Sequence, residues 1–122
     1  MRLNLEQALG VHSAALKVRA ERTRLLASNL ANEATPGYQA RDLDFRASLD
    51  HALADTAFDA ALQFGGDEPR YRLPSSPSQD GNTVELGVEQ AAFSQNAADF
   101  QASLTFVNVK IKGLKAAITG NV

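Results

Sequence analysis

The sequence predicts a mainly α protein in which two long terminal helices form an elongated coiled-coil hairpin, with a loop-rich middle and room there for a small β-ribbon. Three observations carry this. Phe93, Ala97, Phe100, Leu104, Val107, Ile111, Leu114 and Ile118 recur at alternating spacings of four and three, the heptad seam of a coiled coil. Leu5, Leu9, His12, Leu16, Arg19, Thr23, Leu26 and Leu30 recur the same way near the start, and such spacing marks one face of a helix. All four prolines fall between residues 36 and 77, where neither pattern runs. The expected parts are therefore a helix in 1–35, a turn, a weak helix and an irregular connector in 36–87, and a second long helix in 88–122. The two helical parts make one domain.

Composition sets the bounds. A chain of 122 residues is enough for one modest core. Apolar content of 44% and charged content of 21% are those of an ordinary globular protein. Apolar runs are short, so no transmembrane helix is expected. Glu6, Gln7 and His12 interrupt the opening residues, so no cleavable secretory signal is expected either. Cysteine is absent, which excludes disulfides, thiolate metal sites and cysteine nucleophiles. The net charge of −2 is uneven: residues 1–46 carry +2, residues 47–90 carry −6 and residues 91–122 carry +2. Mildly basic ends and an acidic middle suit a subunit whose ends and middle meet different surroundings.

The first helix is expected from Leu5 to Glu33. Ala8, Val11, Ala15, Val18, Arg22 and Leu25 run beside the main row and widen the stripe. No glycine or proline falls between Val11 and Ala34, so about 30 Å or more of unbroken helix is expected. Lys17, Arg19, Arg22 and Arg24 form a basic run. Glu21 sits inside it, no aromatic residues alternate with it, and the chain is acidic overall. Nucleic acid is not an expected partner.

The helix must stop near Pro36, which pushes Thr35 out of the helical region, and Pro36-Gly37 fits the centre of a type II turn. Asn29 and Asn32 share a helical face in the closing turns. Asparagine is a poor helix-interior residue because its amide competes for backbone partners, so these two amides are expected to bind something specific. Tyr38 follows the turn, and Arg41 to Phe45 reads as extended. Beyond it, RASLDHALADTAFDAALQ has Leu49, Leu53, Ala57 and Ala60 at helical spacing, a short helix ended by Gly65-Gly66. Tyr71 and Leu73, with Val84 and Leu86, suit the arms of a small ribbon around the turn signal Asp80-Gly81, and the two prolines between them suit a partly extended connector equally well. In the last helix, Ala92, Phe106 and Val109 widen the seam, Gly113 permits close approach of another backbone, and Gly120 is a stop.

Catalysis is not expected. His12 and His51 are isolated, and Ser28 has no histidine near it. Asp42 and Asp44 are close, yet no base, nucleophile or phosphate loop accompanies them. Asp80-Gly81-Asn82 starts like a calcium loop and lacks the remaining ligands. No cofactor, metal or small-molecule substrate follows from these residues. Assembly does follow. Each helix of a pair covers only a narrow seam of the other, so two wide stripes leave apolar surface that needs neighbours. Phe100, Leu104, Val107, Ile111 and Leu114 are the expected contact positions. Leu104 and Ile111 are read as seam core, so either one changed to Asp is expected to cost several kcal/mol. An isolated chain is expected to be ordered only in part.

The stretch ASNLANEATPGYQARDLDF resembles the N-terminal signature of the bacterial flagellar rod, hook and axial proteins. YRLPSSPSQDGNTVELGVE and QASLTFVNVKIKGLKAAITG resemble the C-terminal part of that family, and together the likeness spans about two thirds of the chain. It implies a structural subunit of the basal-body rod that stacks its paired terminal helices into the proximal part of a helical tube. That tube transmits torque and surrounds an export channel. It implies as partners other copies of the chain, other rod proteins, the membrane-ring and adaptor components, and the flagellar type III export gate. It also implies a periplasmic place reached without a cleaved signal. Asn29, Asn32 and Tyr38 then become expected intersubunit contacts. Rod and hook substrates carry a phenylalanine followed four residues later by an aliphatic residue, and Phe45 and Leu49 have that form as an export signal. A small coiled-coil adaptor or a secretion-apparatus chaperone is the alternative that needs only the seam.

Overall fold

The computed structural model describes residues 4–54 and 69–120. Among them, the chain order is α1 (Leu5–Ala31), β1 (Arg41–Asp42), α2 (Phe45–Ala54), β2 (Arg70–Tyr71) and α3 (Leu86–Thr119). The mainly helical class, the two long terminal helices and the small two-stranded sheet are all present. At 1.5 Å per residue α1 is about 40 Å long and α3 about 50 Å. The second half of the helix expected over 46–63, with Ala57, Ala60 and Gly65-Gly66, lies outside the described residues.

Helices α1 and α3 pair antiparallel. Asn29 meets Glu89, Arg19 meets Asp99, and the rings of His12 and Phe106 stack with centroids 6.2 Å apart. From the His12–Phe106 level α1 runs back to Leu5 while α3 continues to Thr119. The end of α3 therefore overhangs Leu5 by roughly six residues, about 9 Å. Helix α2 packs against α1. Asp44 caps it, its carboxylate accepting the N–H groups of Arg46 and Ala47 at 3.1 and 3.3 Å. Such a cap satisfies donors that the first turn leaves without partners.

The ribbon forms between different arms than the alternation of residues suggests. β1 pairs antiparallel with β2, with Arg41 opposite Tyr71 and Asp42 opposite Arg70, while Leu86 opens α3. The segment after the Pro36-Gly37 turn is extended, and its backbone needs partners on two sides. Arg72 N–H donates to the Ala40 carbonyl on one side. Thr83 fills the other, its N–H donating to the Tyr38 carbonyl and its hydroxyl accepting from Ala40 N–H. Residues 83–84 thus flank the strand in place of pairing with 71–73.

The hairpin core is small. Among the described residues, Ala14, Ala15, Val18, Leu26 and Ala40 are the buried apolar ones, and Asn29, Ser48, Asn82, Glu89 and Asn96 are buried as well. The heptad row of α3 is split by this arrangement. Phe93, Phe100, Val107 and Leu114 are half-buried, whereas Ala97, Leu104, Ile111 and Ile118 are exposed. Leu104 and Ile111 are not core of the subunit, since they remain 38% and 45% exposed. The side of α3 turned toward α1 carries Glu89, Asn96 and Ser103, again at intervals of seven. Gly113 lies open, with nothing near the position a Cβ would take. Gly120, at φ +68°, ends α3 as expected of a left-handed cap.

Candidate subunit interface

A polar frame fixes the turn end of the hairpin, and it begins with the asparagine of α1 that reads as an anomaly in sequence. Asn29 is fully buried. Its Nδ2 donates to the Arg41 carbonyl at 2.8 Å and to Glu89 Oε2 at 2.9 Å. Its Oδ1 accepts Arg41 N–H at 3.1 Å and the Tyr38 hydroxyl at 3.4 Å. Both amide hydrogens and both lone pairs are thereby used within the chain. Within the chain Asn29 is thus a joint between α1, β1 and α3.

The frame continues through charge. Glu89 is also fully buried, and Arg72 Nε lies 3.1 Å from its Oε1 as an ion pair without the alignment of a hydrogen bond. Arg72 also donates to Asp42 Oδ2 at 2.8 Å, and Arg22 binds Asp42 through two parallel bonds of 2.8 and 2.9 Å. The bidentate bond to Asp42 raises the Arg22 pKa further above its ordinary value, although burial acts against this. Asp42 is the hub of an ion-pair network, and Asp44 is a helix cap. Their proximity in sequence reflects two structural jobs. Four elements are tied through residues that share no apolar period, which is why a search for stripes passes over Arg72, Glu89 and Asn96.

The end of α1 is closed from a distance. Asn82 Nδ2 lies 3.0, 2.7 and 2.8 Å from the carbonyl oxygens of Asn32, Glu33 and Thr35. The Asn32 and Thr35 carbonyls also accept the N–H groups of Thr35 and Tyr38, while that of Glu33 has Asn82 as its donor past the end of the helix ladder. Asn82 Oδ1 accepts Val84 N–H at 2.8 Å. Asn32 itself donates to the Ser28 carbonyl at 2.8 Å and accepts the Thr35 hydroxyl at 3.1 Å. Gly37, at φ +73°, and Tyr38 N–H donating to the Thr35 carbonyl complete the turn expected at Pro36-Gly37. The Tyr38 hydroxyl, 3.0 Å from that of Ser28, is half-buried. Asn32 and Tyr38 therefore keep a rim that a neighbour can reach.

Phe45 opens α2 and lies beneath the Arg19 guanidinium, whose carbon is 3.9 Å from the ring centre. Leu49 is half-buried one turn on. Arg19 also bridges to Asp99 at 3.1 Å, so Phe45 is linked to the helix pair through one cation. Asn96, fully buried, donates to the Arg19 carbonyl at 3.0 Å and to the Thr23 hydroxyl at 2.8 Å.

The remaining outward surface is apolar along α3. Leu104, Phe106, Val109, Ile111 and Ile118 are exposed, with Lys110, Lys112 and Lys115 among them and no acidic residue after Asp99. Among the described residues no cluster of His, Asp or Glu is placed to hold a metal ion. No helix there is long and apolar enough to cross a membrane.

No family profile matches the chain. Relatives are nonetheless plain. The flagellar basal body rod protein FlgB of Cereibacter sphaeroides is 47% identical over 120 residues, covering 92% of this chain and 94% of that protein. FlgB of Aeromonas hydrophila is 38% identical, covering 98% of each chain. FlgB of Escherichia coli K12 is 37% identical, covering 90% of this chain and 91% of that protein. Likeness of this degree along nearly the full length of the relatives shows that the chain belongs to the FlgB family of flagellar basal body rod proteins.

Proposed function

We propose that this rod subunit assembles, through the outward face of α3 and the rim of the Pro36-Gly37 turn, into the proximal part of a helical tube. The tube transmits torque and encloses the export channel. The observation that carries the reading is the row Ala97, Leu104, Ile111 and Ile118, which repeats every seven residues and is exposed in the single chain. A row at that spacing suits a second helix, and Phe100, Val107 and Leu114 edge it from the seam side. Asn32 and Tyr38 add polar contacts at the other end, on a frame held by Asn29. The partners are other copies, other rod proteins and the membrane-ring and adaptor components, and the site of assembly is periplasmic. The role is structural, with no cofactor, nucleic acid or small-molecule substrate.

Electron microscopy of the purified chain with its rod partners tests this. Helical tubes support it, and closed rings or discrete oligomers favour an adaptor or chaperone. In a flagellated host lacking its own copy, Ile111→Asp is expected to abolish rod assembly and swimming, and normal swimming would sink the interface. Phe45 and Leu49 are proposed as the segment read by the type III export gate before folding, two apolar side chains on one face of a nascent turn. Phe45→Ala should then accumulate in the cytoplasm. Normal secretion followed by failed assembly would make Phe45 purely structural, in line with its place under Arg19.

A further inference from the structure

Helix α3 meets α1 with Phe93, Phe100, Val107 and Leu114 half-buried, yet the row completing that side is polar, not the second apolar row of the seam. Toward α1 it turns Glu89, Asn96 and Ser103, and away from α1 it turns Ala97, Leu104, Ile111 and Ile118. The two rows are flanks of one seam. A roll of α3 about its own axis by roughly a quarter turn exchanges them, burying Leu104 and Ile111 in place of a carboxylate, an amide and a hydroxyl, while Ile118 stays in the overhang beyond Leu5. Hydrophobic burial favours that roll.

What opposes it lies on α1 and the ribbon. Glu89 has Asn29 Nδ2 at 2.9 Å and Arg72 Nε at 3.1 Å. Asn96 has the Thr23 hydroxyl at 2.8 Å and the Arg19 carbonyl at 3.0 Å. Two of these partners are also bonded within their own part of the chain. Thr23 is anchored by its own bond to the Arg19 carbonyl at 3.0 Å, and Asn29 by both backbone groups of Arg41. Asn96 is not optimised for stability, because its Oδ1 is buried with no hydrogen-bond partner. A buried oxygen without a donor is a cost, and an apolar residue there would avoid it. Buried polar positions in coiled coils are best attested as devices that fix register and face.

We propose that Asn29 and Thr23 on α1, acting on Glu89 and Asn96 of α3, form a polar key that sets which face of α3 points outward. They are positioning residues: their bonds lie within the chain, and they act by holding Leu104 and Ile111 in the open. The inference concerns the rotation of α3 within one chain, so it stands or falls separately from what later covers that row.

The absence of cysteine from the sequence gives a clean test. Single cysteines are placed at Leu104→Cys or Ser103→Cys in separate full-length chains, and their maleimide labelling rates are compared in dilute solution. In the otherwise unchanged chain the probe at 104 is expected to react several times faster than the probe at 103. The key is then removed on α1 alone by Asn29→Leu with Thr23→Val, which leaves α3 intact. The expected result is a reversed ratio, with the probe at 103 faster, while circular dichroism retains the helical signal. An unchanged ratio would overturn the proposal. Equal, fast labelling at both positions would also overturn it, because the polar groups would then hold the hairpin together without choosing its face. Thr23→Ser, which keeps the hydroxyl, should leave the original ratio in place.

Discussion

The cap that Asn82 places on α1 is open to a sharp test by Asn82→Asp, a change of nearly constant shape. In the folded chain one amide nitrogen serves three carbonyl oxygens between 2.7 and 3.0 Å away, and with two hydrogens it makes at most two full bonds. Replacing it by a carboxylate oxygen removes both, at roughly 1 kcal/mol each. The Asn32 and Thr35 carbonyls keep the N–H groups of Thr35 and Tyr38, whereas that of Glu33 loses its donor beside a residue only 7% exposed, which adds about 1–3 kcal/mol. The new charge also faces the negative end of the α1 dipole, worth about 0.3–1 kcal/mol. The sum is roughly 3–6 kcal/mol in destabilisation. Urea unfolding at neutral pH, followed by circular dichroism, measures it. The sign with pH is determined as well. A carboxyl forced among carbonyl oxygens has a folded pKa above its unfolded value of about 3.9. The folded state then holds its proton more tightly, so the penalty is full at high pH and eases as pH falls through the folded value. A stability within about 0.5 kcal/mol of the parent chain, the range of an ordinary surface change, would refute the capping account.

Further outcomes can be stated briefly. Leu104→Asp should change the unfolding free energy of the isolated chain by no more than about 0.5 kcal/mol, because the side chain is already 38% exposed, yet it should block assembly; a large loss of subunit stability would return Leu104 to the core. Glu89→Ala should cost about 3–5 kcal/mol, since it leaves Arg72 and Asn29 facing a buried gap, as read by the shift in urea midpoint. Hydrogen exchange of the isolated chain should show protected amides near residues 19–30 and 86–100 and fast exchange beyond residue 113, where α3 runs past the start of α1; uniform protection would contradict the partial order expected of an unassembled subunit. The Asp80 carboxylate, held below its ordinary pKa by the Ser78 hydroxyl and then by Asn82 N–H, should stabilise its turn above the usual carboxylate range and lose that effect as pH falls through the lowered value, which an NMR titration of its side-chain carbon would show.

The sequence alone was enough for the helices, the turn and the need for neighbours. Each of these rests on local physics: a period near 3.6 or 3.5 residues, a proline that restricts the residue before it, and a glycine able to adopt positive φ. The Pro36-Gly37 turn and the Gly120 stop fall where those rules put them. The match to rod and axial proteins was carried by the same stretch, Ala27 to Phe45. Only the tertiary structure decided which flank of the α3 seam faces α1, which arms form the ribbon, and where the amide of Asn29 goes. These depend on partners tens of residues apart: Asn29 with Glu89, Asp42 with Arg72, Asn82 with the end of α1. A hydrophobic period ranks faces by apolar content and is blind to hydrogen-bond partners brought from elsewhere. At Glu89 and Asn96 those partners prevail over apolar content, and the apolar row is left facing outward.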